Sequence, residues 1–222
     1  PLTGFGWYLF AKYAAALHLL PTASFRNADC DREELERKMM RHRHIVVSGW
    51  NVRFYDLFLK YRSEIVELFR IDESYTAPVK AKMLGAEGTR LGVHLRRGDY
   101  KDWQDGRYFF DDKVYAAHIN RFAALHPEEI VHVYLSTNDP DVSEENYQLL
   151  CPQVRIHHLR GSAPEDLFML SECDYLIGPP STFSLVAAMY RDIPLYRMDT
   201  ADPSQMRPEA FKLFDYWFRR II

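Results

Sequence analysis

From about residue 90 onward, short apolar runs alternate with amphipathic stretches, and this alternation constrains the fold more than any other feature of the chain. Strands are predicted at residues 91–95, 130–135, 154–159, 175–178 and 193–198, with helices between them at 112–125, 143–150, 163–173 and 183–190. Strands joined through helices pair in parallel, because each crossover carries the chain back to the starting edge of the sheet. The expected class is α/β, with a Rossmann-like domain over residues 89–222 built on a parallel sheet. Residues 1–88 read as a smaller and mostly helical N-terminal part, in which only residues 45–48 are clearly strand-like. Phe54, Leu57, Phe58, Tyr61, Ile65 and Leu68 recur there at helical spacing, the pattern of ordinary core packing.

A chain of 222 residues that is 47% hydrophobic can bury one sizeable core or two small ones. Its net charge of −3 argues against a broad nucleic-acid surface, so any phosphate site is local. The three cysteines, Cys30, Cys151 and Cys173, are odd in number and far apart, which speaks against a disulfide framework and for a reducing compartment. No uncharged run approaches the length of a membrane helix, and the N-terminal residues lack a signal peptide's basic start and apolar core. A cytoplasmic protein, at most peripheral to a membrane, is the expectation.

The first predicted strand of the α/β region carries the chemistry. In Leu91-Gly92-Val93-His94-Leu95-Arg96-Arg97-Gly98-Asp99-Tyr100, alternation puts Leu91, Val93 and Leu95 on one face and His94 and Arg96 on the other, with Arg97 at or just past the strand end. Two guanidinium groups, charged at any working pH and matched to phosphate oxygens, leave the strand together, and Gly98 permits a sharp turn after them. A surface salt-bridge network of Arg96, Arg97 and Asp99 is the alternative. Further on, Ser162 and Glu165 form a capping box that starts a helix with Asp166 in its first turn. Pro179-Pro180-Ser181-Thr182-Phe183-Ser184 links a predicted strand to a helix N-terminus. Ligands of open α/β sheets bind beyond the carboxyl ends of the strands, where helix N-termini accept phosphate. Plain capping accounts for Ser181, Thr182 and Ser184 taken alone; together with Arg96 they describe an anion site.

The spaced motif His94-x-Arg96-Arg97-x-Asp99, with Asp166, Ser171, Cys173 and Asp174 downstream and then Ser181-Thr182-Phe183-Ser184, resembles the α1,2-fucosyltransferases and their α1,6 relatives. Gly4-Phe5-Gly6-Trp7-Tyr8-Leu9-Phe10 is similar, more weakly, to the Gly-Leu-Gly-Asn-Gln opening of that family, and Ser136-Thr137-Asn138-Asp139 to its Ser-Asp-Asp turn. The strong resemblance covers residues 90–198. Trp7 and Tyr8 stand where Asn-Gln is expected and Leu185-Val186 where the family has tryptophans, which marks a divergent member.

The resemblance implies a GT-B-like fold of two facing domains, with residues 1–88 on the acceptor side, and metal-independent, inverting transfer of fucose from GDP-fucose to a glycan hydroxyl. Carried over position by position, Arg96 holds the β-phosphate, and Arg97 supports that site or orders the loop around it. His94 and Asp166 contact the guanine, Ser181, Thr182 and Ser184 donate to the phosphates, and Asp99 fixes the arginines. Arg96 and Asp99 are thus the expected catalytic pair. No cofactor is implied; the expected partners are a GDP-sugar and a glycan. The general base is left open among Asp99, Asp102 and Asp105. A non-catalytic GDP-sugar or nucleotide-binding module that kept the phosphate site is the alternative from another class.

Three further patterns read as structural. Asp139-Pro140-Asp141 mimics a metal-binding Asp-x-Asp but is explained by a proline turn, and no metal is expected. His157-His158 and His42-Arg43-His44 lack partners at zinc-ligand spacing and read as surface histidines. Phe211, Leu213, Phe214, Tyr216, Trp217 and Phe218 read as a closing helix packed on the core, with membrane-surface contact as a minor alternative.

Overall fold

Parallel strands covered on both faces are written as near-continuous apolar runs, and the part of the chain from Tyr61 onward contains five strands of one parallel sheet. A computed structural model describes residues 4–26, 31–49 and 55–220, in two compact units divided at Lys60/Tyr61.

The first unit comprises α1 (Gly4–Ala16), β1 (Thr22–Phe25), α2 (Arg32–Arg41), β2 (Val46–Gly49) and α3 (Tyr55–Lys60). Asp31 caps α2 by accepting from the Glu34 amide at 3.0 Å. β1 and β2 pair in parallel from Thr22–Val46 to Phe25–Gly49. The strand at residues 45–48 thus has a partner that the helical reading passed over. Thr22-Ala23-Ser24-Phe25 is short and apolar only at alternate positions, so it gains its identity from the pairing.

The second unit contains α4 (Arg62–Leu68), α5 (Glu73–Met83), β3 (Thr89–Leu95), α6 (Asp112–Leu125), β4 (Val131–Thr137), α7 (Glu144–Leu150), β5 (Arg155–His157), α8 (Ala163–Ser171), β6 (Tyr175–Gly178), α9 (Thr182–Arg191), β7 (Leu195–Arg197) and α10 (Phe214–Phe218). The strand order is β5-β4-β3-β6-β7, all parallel. Each predicted strand and crossover helix is present within a few residues of its expected bounds, and the Rossmann-like α/β class is observed.

Alternation on β3 sorts the two layers. Leu91, Val93 and Leu95 are fully buried against Tyr115, Ile119 and Phe122 of α6 and Tyr147 of α7. The opposite face packs Leu176 and Leu195 against Met169 and Leu170 of α8, Ala187 and Ala188 of α9, and Val79 and Met83 of α5. Burying one such side chain contributes about 1.5–3 kcal/mol, so both layers are needed to order the sheet. At Gly92 the side chains on this face come so close that an added Cβ would lie 2.6 Å from Leu176 of β6 and 2.8 Å from Leu170 of α8. Because α5 belongs to this layer, the unit begins at Tyr61 rather than at the expected residue 89.

The helical spacing from Phe54 to Leu68 does not make one core-facing helix. Phe54 lies outside the described residues, the helix breaks at Tyr61, and Leu57, Tyr61 and Leu68 are exposed, Leu68 by 82%. Cys151 and Cys173 are buried free thiols, while Cys30 lies outside the described residues. Among the described residues no helix is long and apolar enough to cross a membrane.

Candidate functional site

Arg96 is the first residue past β3, and its surroundings hold it outward. Its backbone amide donates to the Tyr115 hydroxyl at 3.2 Å, and Nη2 lies 2.8 and 2.9 Å from the two Asp99 carboxylate oxygens. Its guanidinium carbon stands 5.4 Å from the centre of the Tyr100 ring. The side chain stays 32% exposed, so its remaining N–H groups are open to a ligand. The turn depends on Gly98, whose φ of 44° is left-handed and whose added Cβ would lie 2.6 Å from Asn138 Nδ2. Tyr100 then donates its hydroxyl to the Pro180 carbonyl, tying this loop to the one after β6.

That second loop delivers the hydroxyls. Ser181 caps α9 by accepting from the Phe183 amide at 3.2 Å, and the buried Ser184 hydroxyl donates to the Ser181 carbonyl at 3.3 Å. Thr182, the first residue of α9, is exposed. Arg96, Asp99, Ser181, Thr182 and Ser184 all line one cavity of about 490 Å³ at the carboxyl ends of β3, β6 and β7. Of the three carboxylates considered as bases, Asp99 lines this cavity and Asp102 and Asp105 do not.

His94 and Asp166 are both buried and lie outside the cavity lining. The His94 ring sits 5.1 Å from Phe183, and among the described residues its Nδ1 has no hydrogen-bond partner. Desolvation, reinforced by the Arg96 charge, pushes the imidazole down to about 3, so it is neutral at any working pH. Asp166 accepts from the Ser136 hydroxyl at 2.8 Å. Burial raises its carboxyl to about 6, against hydrogen bonds from Ser136 and the Gly161 and Thr137 backbone that favour the charged form.

Arg97 points to the other face. Its guanidinium donates to the Phe110 carbonyl and to Asp139, each at 3.2 Å, and pairs with Asp112. Its amide donates to Asn138 Oδ1 at 3.1 Å. Asp112 in turn accepts from Tyr147 and Asn146, both at 2.9 Å. Of the two roles expected of Arg97, its contacts belong to ordering the loop, and its side chain is only 12% exposed. The same network occupies Asp139, whose other oxygen accepts from the Asp141 amide at 3.0 Å in a tight turn. Among the described residues no group of three or more His, Cys, Asp or Glu side chains is placed to hold a metal.

One expectation for the histidines needs correction. His157 is not a surface histidine: it is half-buried, stacked between His132 and Tyr134, with its Nε2 2.9 Å from His132 Nδ1. The C-terminal aromatic stretch does close on the core through buried Phe214, but Trp217 of α10 also lines the cavity. Tyr100, Trp103 and Arg197 line it too and were not anticipated. Arg197 was findable, since it ends a predicted strand at the sheet edge where ligands bind; Trp217 gave no local signal because tertiary packing alone brings it there.

A family model described as glycosyl transferase family 11 matches residues 50–193. Among solved structures the chain is similar to POFUT1 in complex with GDP-fucose, with a TM-score of 0.52 at 12% identity over 73% of this chain and 55% of that one. It is likewise similar to POFUT1 in complex with GDP, with a TM-score of 0.51 at 12% identity over 74% and 58% of the two chains. The chain therefore spans little more than half the length of these structures, and at that identity the likeness is one of fold. No curated protein matches the sequence.

Proposed function

Since the chain belongs to glycosyl transferase family 11, we propose that it moves fucose from GDP-fucose to a hydroxyl of a glycan acceptor, inverting the anomeric centre and using no metal ion. The observation that carries the reading is the convergence of Arg96 with Ser181 and Thr182 on one cavity at the carboxyl ends of neighbouring parallel strands. The choice of donor is supported by POFUT1, a protein of similar fold whose structure is known in complex with GDP-fucose.

In the proposed step the acceptor oxygen forms a bond to the anomeric carbon as the bond from that carbon to the β-phosphate oxygen breaks. The electron pair leaves with GDP and the acceptor proton passes to a base. Negative charge grows on the β-phosphate, where Arg96, held by Asp99 and Tyr100, supplies fixed positive charge and the Ser181 and Thr182 hydroxyls supply donors. A preorganised donor of this kind is worth about 3–4 kcal/mol. On this reading the guanine lies on the β4 side of the site, toward His94 and Asp166, the two residues that the family resemblance assigns to it.

The test is calorimetric titration with GDP, with ADP and UDP as controls, in buffer containing a chelator, followed by a GDP-fucose transfer assay over an acceptor panel. GDP should bind selectively, and Arg96→Ala should lower transfer by about 10²–10³. Transfer that Arg96→Ala leaves unchanged would refute the assignment. Activity lost to chelator and restored by Mn²⁺ would refute the metal-free mechanism, and GDP binding with no transfer to any acceptor would favour the non-catalytic module.

A further inference from the structure

Arg197 ends β7, and its register neighbour Gly178 abuts His94: the Cβ built on Gly178 lies 3.2 Å from His94 Cβ. Register partners in parallel strands share a face, so Arg197 emerges on the same face as His94 and Arg96. β3 and β7 are separated by β6 alone, placing the two backbones about 10 Å apart across the cavity that both side chains line.

The two arginines are mounted alike. The Arg197 guanidinium carbon stands 4.5 Å from the Trp217 ring centre, and its Nε lies 3.0 and 3.2 Å from the two oxygens of Asp199. Trp217 is itself fixed by donating its indole N–H to the Leu195 carbonyl at 2.9 Å. A carboxylate and an aromatic face thus hold each guanidinium. Among the described residues the terminal nitrogens of Arg197 have no protein partner, and a pinned guanidinium with open donors is suited to a phosphate.

We propose that Arg197 is the second cation of the donor site, gripping the distal phosphate of the nucleoside diphosphate from the side opposite Arg96. This rests on the donor reading above. There the base lies toward Asp166 on the β4 side of β3, so the diphosphate runs across β3 toward β6 and β7, and its far phosphate comes between the two arginines. Ser181 and Thr182 fill the floor between them. Neither arginine can be replaced by lysine without loss, because an ammonium lacks the guanidinium's planar fork of donors that matches phosphate oxygens.

The experiment compares GDP with GMP, which lacks the distal phosphate, by calorimetric titration of wild type, Arg197→Ala, Arg197→Lys and, as a charge control, Arg155→Ala, an exposed residue of the edge strand β5. Arg197→Ala should weaken GDP about tenfold or more while moving GMP less than about twofold, so that the preference for the diphosphate collapses. Arg197→Lys should recover part of the loss, and the control should bind as wild type. GDP affinity in Arg197→Ala within about twofold of wild type would overturn the proposal, as would an equal loss for GMP, which would put Arg197 on the base or the proximal phosphate. If Arg197→Ala melts early, Arg197→Lys carries the same comparison. Wild type that binds no GDP would instead overturn the donor reading itself.

Discussion

Replacing Arg97 with methionine removes the centre of a half-buried ionic cluster while keeping a long apolar stem. The change strands Asp112 and Asp139, whose side chains are 30% and 21% exposed, without their cation. It also frees the Phe110 carbonyl and the stack on Tyr115. Removing one partner of a buried pair costs about 3–5 kcal/mol, and the partial exposure of both acids favours the lower end. At about 2–4 °C per kcal/mol for a unit of this size, melting followed by circular dichroism should fall by about 6–12 °C. Arg96→Met removes an ion pair to an acid that is 62% exposed, worth about 0–1 kcal/mol, and should shift melting by less than about 4 °C. Adding Asp112→Asn to Arg97→Met should restore part of the loss, since the stranded charge goes with it. Equal melting of the two arginine variants would refute the division of labour argued for them.

Two further outcomes follow from the buried titratable groups. Because burial raises the Asp166 carboxyl to about 6, the folded protein binds a proton there that the unfolded chain releases at lower pH. Stability is then lost as pH rises through that window, and Asp166→Asn should gain about 2–3 kcal/mol on wild type between pH 4 and pH 7.5 in urea titrations; no relative gain would show the site to be solvated. The His132–His157 pair has the opposite sign. Both imidazoles are held below their ordinary value, first by desolvation, then by Arg155 and Arg90 for His132 and by His132 for His157, with Glu144 opposing. Their contribution is present above the ordinary histidine range and lost as pH falls below it, so His157→Phe should flatten the decline in melting temperature between pH 7 and pH 5. An unchanged slope would rule the pair out as its cause.

Local rules made much of this legible. The apolar runs of β3, β4 and β6 are near-continuous because those strands are covered on both faces, and the helices between them carry their own caps at Asp111, Ser143 and Ser162. Alternation along β3 put Arg96 and His94 on one face and the leucines on the other, as observed. Where burial is weak the pattern fades: β1 is a strand only because β2 lies beside it, and the break at Tyr61 leaves an apolar spacing on the surface.

The sequence by itself determined the α/β class, the strand carrying the basic motif and the loop whose hydroxyls face it, because each is written within a dozen residues by periodicity, capping and turn chemistry. Only the tertiary structure decided which of two adjacent arginines meets the cavity. Strand alternation could aim them apart, but the partners that bind Arg97, Asp112 and Asp139, come from distant parts of the chain. It also decided that Arg197 and Trp217 complete the wall, since strand order, not sequence distance, sets which carboxyl ends are neighbours.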